Sequence, residues 1–204
     1  MCSCLWSRLV EVANNFLWEI SSLIRPPIHV VLVGLEASGK TTVLFRLKYG
    51  QYVNTAPTVG FNMEKVRISG TNWLVWDVGG AEKVRPLWRS YTRATDALVF
   101  VIDSGSSDER MEESRVELQR LIKQQSAQCV TLNKSKPPLM ILANKQDLPG
   151  SREPQNLSKA LGLQDLPDSQ PIAIAPCCAV TGEGLDEAMD VLLQLVTKVR
   201  QSTG

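Results

Sequence analysis

The stretch IHVVLVGLEASGKT, residues 28–41, decides the fold of this chain. Its first half is a continuous apolar run rich in β-branched residues, which is typical of a buried parallel strand. Its second half, GLEASGKT at residues 34–41, matches the pattern G-x-x-x-x-G-K-[ST]. The glycines of this pattern let the backbone turn until consecutive N–H groups face inward, where they can hold phosphate. The stretch therefore predicts a strand, a phosphate-binding loop and a helix; the alternative is an ordinary glycine-containing turn.

Single residues of this loop have separate tasks in the predicted site. Gly34 and Gly39 allow the tight turn, and Lys40 adds a positive charge at the β- and γ-phosphates of a nucleotide. The hydroxyl of Thr41 is offered to Mg²⁺. The loop alone does not choose between ATP and GTP.

Outward from this loop, strand-like and helix-like segments alternate, which predicts an α/β domain with a mostly parallel sheet and helices on both faces. Residues 61–68 and 72–77 are separated by Ser69-Gly70-Thr71, so they are expected to form an antiparallel hairpin at the sheet edge. The polar, proline-ended segment 126–138 is expected to be a surface loop. Further strands are predicted at 97–103, 139–144 and 171–176, and helices at 40–49, 108–125, 154–162 and 184–200.

The composition of the chain disfavours several classes of protein. The 204 residues carry a net charge of +1 with both signs interspersed, so no basic face for nucleic acid is expected. Five cysteines without a framework spacing indicate a reduced, intracellular protein, and the single histidine, His29, argues against a His- or Cys-based metal site. No uninterrupted apolar run reaches about 18 residues, so no transmembrane helix is expected.

The N-terminal segment has the pattern of an amphipathic helix. Apolar residues recur at helical spacing through residues 5–24, and the sequence RPP at 25–27 ends the pattern because proline excludes the helical conformation before it. Glu11 and Glu19 interrupt the apolar positions, so a signal peptide is not expected. Residues 1–27 are therefore predicted to be a helix and linker outside the main domain.

A second motif, ANKQD at residues 143–147, follows an apolar strand and is suited to selecting a base. Ligands of open parallel sheets bind at the carboxyl ends of strands, so this motif is expected to face the same crevice as the phosphate loop. The carboxylate of Asp147 can accept hydrogen bonds from N1–H and N2–H of guanine, whereas adenine would leave it unpaired. Asn144 can tether neighbouring loops, and the stem of Lys145 can stack over the base. The alternative is a polar loop of no specific function.

In this order, the motifs resemble the Arf and Arf-like family of Ras-type small GTPases. The resemblance rests on VGLEASGKTT, PTVGFN, WDVGGAEKVRPLWRSYTRATD, ANKQD and CAVTGEG, and it covers about residues 28–200. VNTAPTVGFNMEKV and RMEES resemble the Arf-like subgroup nearest the family's fourth member. The resemblance implies a P-loop small G domain at 28–200 with a six-stranded, mostly parallel sheet. The N-terminal helix precedes this domain, and a short tail follows it at 201–204.

The resemblance also implies a site for GTP or GDP with Mg²⁺. Thr41 and Thr58 are expected to bind the metal, Asp77 to organise it, and the N–H of Gly80 to contact the γ-phosphate. The backbone N–H of Ala179 is expected to meet guanine O6. The implied nucleotide-binding residues are Gly34, Leu35, Glu36, Ala37, Ser38, Gly39, Lys40, Thr41, Thr42, Thr58, Asp77, Gly80, Asn144, Lys145, Asp147, Cys178 and Ala179.

Three aromatic residues, Phe61, Trp76 and Tyr91, match positions that form a cluster between the two switch segments of the family. Ordinary core packing is the other interpretation of these residues, and the two interpretations are compatible.

The chain departs from the family pattern in the segment that follows the DxGG motif. The family usually has glutamine there, which orients the attacking water, whereas Ala81 has no donor or acceptor for this task. Slow intrinsic hydrolysis and a weak response to an activating protein are therefore expected. The neighbouring Glu82 is not assumed to substitute. Glu36 stands where the family usually has the aspartate of the phosphate loop, and it adds one methylene group near the expected γ-phosphate.

A second departure lies at the N-terminus. Cys2 follows the initiator methionine where many family members have glycine, so N-myristoylation is excluded. Cys2 and Cys4 beside an amphipathic helix are candidates for S-palmitoylation; the alternative is two unmodified cysteines. The helix is expected to lie in a membrane interface or, as the family implies, to dock on the GDP-bound core. Both uses would couple the nucleotide state to membrane attachment, and the protein is expected to be cytoplasmic and peripheral on the cytosolic face of membranes.

The sequence thus predicts a GTP-binding switch that recruits effector proteins at membranes, in trafficking or signalling, under the control of an exchange factor and a GTPase-activating protein. The first alternative is a constitutively GTP-bound scaffold without significant hydrolysis. A P-loop kinase or ATPase is a second alternative, which the NKQD motif disfavours. A nucleotide-free scaffold is a third, which the intact phosphate and base motifs disfavour.

Overall fold

The computed structural model describes Ala13, Trp18, Glu19 and residues 26–132, 134–166 and 170–202. Ala13, Trp18 and Glu19 are helical, whereas the rest of the helix predicted at 5–24, together with Cys2 and Cys4, lies outside the described residues. Within the described part of the chain, no helix combines the length and the apolar character needed to cross a bilayer.

The sheet has six strands: β1 (Ile28–Val33), β2 (Phe61–Ile68), β3 (Thr71–Val78), β4 (Ala97–Asp103), β5 (Leu139–Asn144) and β6 (Ile172–Pro176). They lie in the order β2-β3-β1-β4-β5-β6, so β2 and β6 are the two edges. Every neighbouring pair is parallel except β2 and β3, which form the predicted antiparallel hairpin with Phe61 opposite Val78. The mostly parallel sheet predicted from the apolar runs is confirmed.

Four helices lie between these strands, α1 (Lys40–Tyr49), α2 (Trp88–Tyr91), α3 (Asp108–Leu132) and α4 (Pro154–Ala160), and α5 (Leu185–Ser202) follows β6. Short 3₁₀ turns flank α2 at Arg85–Leu87 and Thr92–Ala94, and a third lies at Leu163–Asp165. Val43 of α1 and Leu192 of α5 join one apolar core, whereas Leu118 of α3 and Leu157 of α4 join the core on the opposite face. The predicted placement of helices on both faces is therefore confirmed.

The loop predicted at 126–138 is wrong in its first half, because α3 continues through Leu132. Gln125 Nε2 donates a hydrogen bond to the Thr92 carbonyl at 3.0 Å, and Gln128 Nε2 donates to the Arg89 carbonyl at 3.2 Å. These contacts hold the last turns of α3 against the segment around α2. A tertiary contact of this kind overrides local composition.

The C-terminal elements differ slightly from the prediction. Helix α5 ends at Ser202, two residues beyond the predicted end at 200, so the first part of the predicted tail is helical. Helix α4 ends at Ala160, and Gly162 follows it with a left-handed φ of 66°. Both differences amount to two residues at a helix end, where the last turn frays.

The strand directions bring the predicted motifs to one edge of the sheet. β1, β3, β4, β5 and β6 run in the same direction, so the residues at their carboxyl ends lie side by side. Gly34, Asp77, Asp103, Asn144 and Cys177 occupy these positions. The candidate functional site is built along this edge.

Candidate functional site

The phosphate loop lies between β1 and α1 and packs against the loop that follows β5. Gly39 has a φ of 94°, and a Cβ at this position would lie 2.3 Å from Asn144 Nδ2, so glycine is required here. Ala37 is also left-handed, with a φ of 60°. Successive turns of this kind point backbone N–H groups toward an anion. The Ser38 hydroxyl is buried and has no hydrogen-bond partner among the described residues.

The Lys40 ammonium is buried inside this loop. The residue is 5% exposed, and its Nζ donates a hydrogen bond to the Leu35 carbonyl at 2.8 Å. Burial lowers the pKa of Lys40 from 10.5 to about 8; Asp77 opposes this shift and Arg85 adds to it. A buried ammonium held by a neutral carbonyl is suited to a polyanionic ligand, which would restore its charged form.

Thr41, Thr58 and Asp77 form an oxygen-lined corner beside Lys40. Thr41 Oγ1 donates to Asp77 Oδ2 at 2.7 Å, and Thr58 Oγ1 lies 2.7 Å from Thr41 Oγ1 and 3.3 Å from Asp77 Oδ2. The second carboxylate oxygen, Asp77 Oδ1, is buried without a partner among the residues that the structure describes. Hydroxyl and carboxylate oxygens are ligands that Mg²⁺ prefers. The donor set and the unpaired oxygen therefore fit this ion.

The loop after β5 provides the candidate base pocket. Asn144 Nδ2 donates to the Ser38 carbonyl at 2.9 Å, and its Oδ1 accepts from the Ala179 N–H at 2.9 Å, so the side chain forms the predicted tether between loops. The Ala179 N–H is thereby engaged, and its contact with guanine stays a prediction. Asp147 is exposed, and its carboxylate is free of hydrogen bonds to the described part of the chain.

Lys145, in the loop after β5, and Cys178, in the loop after β6, are two further predicted nucleotide-binding residues. Lys145 has a left-handed φ of 67°, and its Nζ lies 2.8 Å from Asp103 Oδ2 at the end of β4. Cys178 is buried, and its sulfur accepts a hydrogen bond from the Thr181 N–H at 3.4 Å. The structure places both residues at the predicted edge, and their contacts with a nucleotide stay predictions.

The segment after β3 runs against the phosphate loop. A Cβ on Gly80 would lie 2.3 Å from the Gly34 carbonyl oxygen and 2.5 Å from Glu36 N, so the two backbones are in contact and only glycine fits. Arg85 Nε donates to the Gly80 carbonyl at 2.9 Å, and Trp88 Nε1 donates to the Gly79 carbonyl at 2.9 Å. Two side chains of the same segment therefore fix the Gly-Gly turn.

Ala81 begins the turn that leads into this fixed segment. Its carbonyl accepts hydrogen bonds from Val84 N at 2.8 Å and Arg85 N at 3.3 Å. The residue thus has a structural task in its backbone, whereas its methyl group can neither donate nor accept a proton.

The predicted aromatic cluster is present between the two switch segments. The ring centroids of Phe61 and Trp76 are 5.2 Å apart, those of Phe61 and Tyr91 are 5.4 Å apart, and those of Trp76 and Tyr91 are 6.1 Å apart. Phe61 remains 47% exposed, so the cluster is part surface and part core.

Several residues that sequence reasoning missed support the site. Asn62 Nδ2 donates to Asp77 Oδ2 at 3.0 Å, and Arg46 Nε donates to the Ala179 carbonyl at 3.3 Å. Asn62 faces Asp77 directly in the hairpin register, so the pairing of β2 with β3 was the signal that could have found it. Arg46 carries no comparable signal, because its partner is 133 residues away along the chain.

Two of the described N-terminal residues, Trp18 and Glu19, contact the β2–β3 hairpin. Lys65 Nζ lies 4.3 Å from the centroid of the Trp18 ring and 3.4 Å from Glu19 Oε1. Asn72 Nδ2 donates to the Trp18 carbonyl at 3.3 Å. Trp18 and Glu19 are therefore in direct contact with this hairpin.

Comparison with known proteins gives a consistent result. The sequence profile of the ADP-ribosylation factor family matches residues 17–196. ADP-ribosylation factor-like protein 4C of Homo sapiens is 44% identical over 180 residues, which cover 86% of this chain and 90% of that protein. ADP-ribosylation factor-like protein 4D of Mus musculus is 41% identical over 201 residues, which cover 96% and 94%.

A solved structure supports the same relationship. The Arl6 BBS3 small GTPase of Trypanosoma brucei with the bound nucleotide analogue GppNp superposes with a TM-score of 0.76 at 30% identity. The match covers 85% of this chain and 99% of that chain.

Proposed function

Because the chain belongs to the ADP-ribosylation factor family of small GTPases, we propose that it is a molecular switch that binds GDP and GTP and recruits effector proteins at a membrane. One observation carries the proposal: the free carboxylate of Asp147 and the buried ammonium of Lys40 lie on the same sheet edge, and Asn144 ties their loops together. The pocket thus combines an acceptor suited to guanine with a cation suited to phosphate.

Different residues of the pocket bind different parts of the nucleotide. Lys40 and the backbone N–H groups of residues 34–41 bind the phosphates, and Asp147 accepts the N–H groups of guanine. Thr41 and Thr58 would hold Mg²⁺ with support from Asp77, and the ion would neutralise phosphate charge when bound. A desolvated Asp147 facing adenine would have no matching donors, which is why the site favours GTP over ATP.

The third phosphate supplies the difference between the two states. Thr58 and Gly80 come from separate loops, which are joined by a hydrogen bond from Gly79 N to the Gly60 carbonyl at 2.9 Å. With GTP bound, contacts with the γ-phosphate hold both loops in place, and these contacts are lost when GDP is bound. The surface beside them includes Val59, which is 96% exposed. Effectors, an exchange factor and an activating protein are proposed to read this surface in trafficking or signalling.

Hydrolysis is proposed to be slow because Ala81 cannot orient an attacking water. Binding of the phosphates is kept, since Lys40 and Thr41 are intact, but the group that would align the nucleophile is missing. Ala81 also favours a second candidate function, a constitutively GTP-bound scaffold with no significant hydrolysis. The ratio of GTP to GDP released from freshly purified protein distinguishes the two, because a scaffold releases GTP alone.

The N-terminal segment is proposed to attach the protein to membranes. The contacts of Trp18 and Glu19 with Lys65 support a role in which the same segment docks on the hairpin in one nucleotide state and is free in the other. Deletion of residues 1–25 should abolish recovery of the protein in membrane fractions. Replacement of Cys2 and Cys4 by serine tests whether acylation contributes, and unchanged membrane partition after the deletion would contradict this part of the proposal.

The proposal is tested by direct nucleotide binding. Calorimetry with Mg²⁺ should detect GDP and GTP and no binding of ATP at the same concentrations. Asp147→Asn replaces one acceptor oxygen with an amide donor and should therefore weaken the binding of GDP. The same variant should admit xanthosine diphosphate, whose C2 carbonyl accepts the new amide N–H. Equal binding of ADP and GDP by the unaltered chain would overturn the proposal.

A further inference from the structure

Glu113 of α3 is shared by two arginines from different parts of the fold. Arg85, which follows the Gly-Gly turn, places Nη1 2.7 Å from Glu113 Oε1. Arg110, one turn earlier in α3, places Nη1 2.7 Å from Glu113 Oε2. Both oxygens of one carboxylate are therefore engaged by positive charge.

Each arginine uses a different nitrogen to bind a backbone carbonyl of the nucleotide site. Arg85 Nε donates to the carbonyl of Gly80 at 2.9 Å, and Arg110 Nη2 donates to the carbonyl of Glu36 in the phosphate loop at 3.2 Å. The result is a continuous bridge from the phosphate loop through Arg110, Glu113 and Arg85 to the Gly-Gly turn. We call this set of three side chains the arginine bridge.

The arginine bridge is partly buried, which strengthens the electrostatic attraction between its side chains. The Arg85 side chain is 6% exposed, and Glu113 is 34% exposed. Burial alone would raise the pKa of Glu113, but the hydrogen bonds and charges of Arg85 and Arg110 lower it below the usual carboxyl value. The carboxylate is thus charged at neutral pH. An ion pair with one buried partner is screened far less by solvent than a pair on the surface.

The arginine bridge holds Gly80 where the third phosphate is expected. Gly80 lies in backbone contact with Gly34 and Glu36, and the bridge fastens both sides of that contact from outside the pocket. We infer that Glu113 is a positioning residue that favours GTP over GDP by keeping Gly80 against the phosphate loop. The inference rests on the proposed function and adds a residue that sets its nucleotide preference.

The selectivity follows from which parts of the site the bridge supports. The pockets for guanine and for the first two phosphates depend on Asn144, Asp147 and Lys40, none of which contacts the bridge residues through a hydrogen bond. The bridge holds two backbone carbonyls of the site: that of Gly80, which is proposed to meet the third phosphate, and that of Glu36, at the position of the phosphate loop that lies against Gly80. Loss of the bridge should therefore lower the affinity for GTP and leave the affinity for GDP nearly unchanged. A purely structural ion pair would affect both nucleotides equally.

The test compares two neighbouring glutamates of the same helix. Glu113→Gln removes the shared charge, whereas Glu112→Gln removes an exposed pair with Arg115 of 2.5 Å that lies away from the pocket. Dissociation constants for GDP and for the slowly hydrolysed analogue GppNp are measured with Mg²⁺. Glu113→Gln should raise the constant for GppNp by about tenfold and that for GDP by less than about twofold. Glu112→Gln should change neither constant.

A second variant serves if Glu113→Gln folds poorly. Arg110→Lys keeps the positive charge, but one ammonium cannot donate in two directions like a guanidinium, so the preference for GppNp should again fall. Equal loss of GDP and GppNp, or no change in either variant, overturns the inference while the proposed function stands. If the unaltered chain binds neither nucleotide, the proposed function fails and the inference fails with it.

Discussion

Asn144 donates its side-chain amide to the carbonyl of Ser38 at 2.9 Å, across 106 residues of chain. The other end of the same side chain accepts the N–H of Ala179. One buried carboxamide therefore joins the phosphate loop, the loop after β5 and the loop after β6. Because both its groups are paired in a buried setting, any change of its chemistry leaves a polar atom without a partner.

Replacing Asn144 with aspartate should loosen the pocket. The new oxygen would face the Ser38 carbonyl, and an unpaired buried group of this kind costs about 1–3 kcal/mol. The dissociation rate of a fluorescent GDP should rise about tenfold or more. Gln146→Ala is the matched control, because its amide bonds to Ser104 and Arg152 rather than to the phosphate loop. A larger effect from the control would contradict the assigned role.

Gly80→Ala should separate the two nucleotides. Its methyl group would collide with the Gly34 carbonyl at 2.3 Å and with Glu36 N at 2.5 Å, both of them backbone atoms that cannot rotate away. The Gly-Gly turn must then withdraw, and affinity for GppNp should fall about tenfold with a smaller change for GDP. Gly105→Ala is the control, since only Asp103 Oδ1 lies near its Cβ, at 3.6 Å. Unchanged GppNp affinity in Gly80→Ala would show that the close contact has no role in binding.

Ala81→Gln should accelerate hydrolysis. A carboxamide at this position can orient water, and correct placement of a nucleophile contributes about ten- to a hundredfold. Single-turnover phosphate release from GTP-loaded protein measures the effect. Glu82→Gln in the unaltered chain is the companion variant, because a fall in its rate would reveal that Glu82 acts in place of the missing glutamine. Equal rates for the unaltered chain and Ala81→Gln would refute the expectation.

Nucleotide binding should take up a proton at alkaline pH. Burial lowers the pKa of Lys40 to about 8, so the side chain is mostly neutral at pH 9 and mostly charged at pH 7. Phosphate oxygens favour the charged form and raise the pKa again, so GDP should bring in most of a proton at pH 9 and about a tenth of one at pH 7.

The same shift in the pKa of Lys40 makes the free energy of unfolding depend on pH. The unfolded chain still binds this proton between about pH 8 and 10.5, whereas the nucleotide-free fold has released it, so the fold gains stability as pH rises through that range. Calorimetry of GDP binding in buffers of different ionisation enthalpy gives the proton count. Lys48→Met in the same helix should leave the count unchanged, and an equal uptake at both pH values would contradict the assignment to Lys40.

Much of the fold could be predicted because its inner strands are continuous apolar runs. β4 and β5 begin and end where the runs at 97–103 and 139–144 do, since burial on both faces permits no polar residue between the flanking loops. The second half of α3 could not be predicted in this way. Its residues after Gln125 run without a helical apolar pattern into the polar, proline-ended stretch that follows, and contact with the segment around α2 keeps them helical.

In the candidate site too, residues in local motifs could be predicted from the sequence, whereas residues that depend on tertiary contacts could not. Gly34, Lys40 and Asp147 stand in local motifs whose spacing reflects one loop each, so a single sequence is enough to identify them. Glu113 and Arg110 lie on a polar helix face, where charged residues at three- and four-residue spacing usually face solvent. Their importance depends on Arg85 approaching from another segment, and that approach exists only in the folded chain.

The outer strand β2 gives the sheet an edge with unlike ends. Its exposed residues change from Phe61 and Met63 at the end near the candidate site to Lys65 and Arg67 at the end near the hairpin turn. A partner protein that binds along this strand would contact apolar side chains at one end and cationic side chains at the other, which fixes the direction in which it binds. While Trp18 sits on Lys65, part of the cationic end is already occupied. Phe61, Met63 and Arg67 then remain open to a partner protein, and undocking of Trp18 would add Lys65 to this surface.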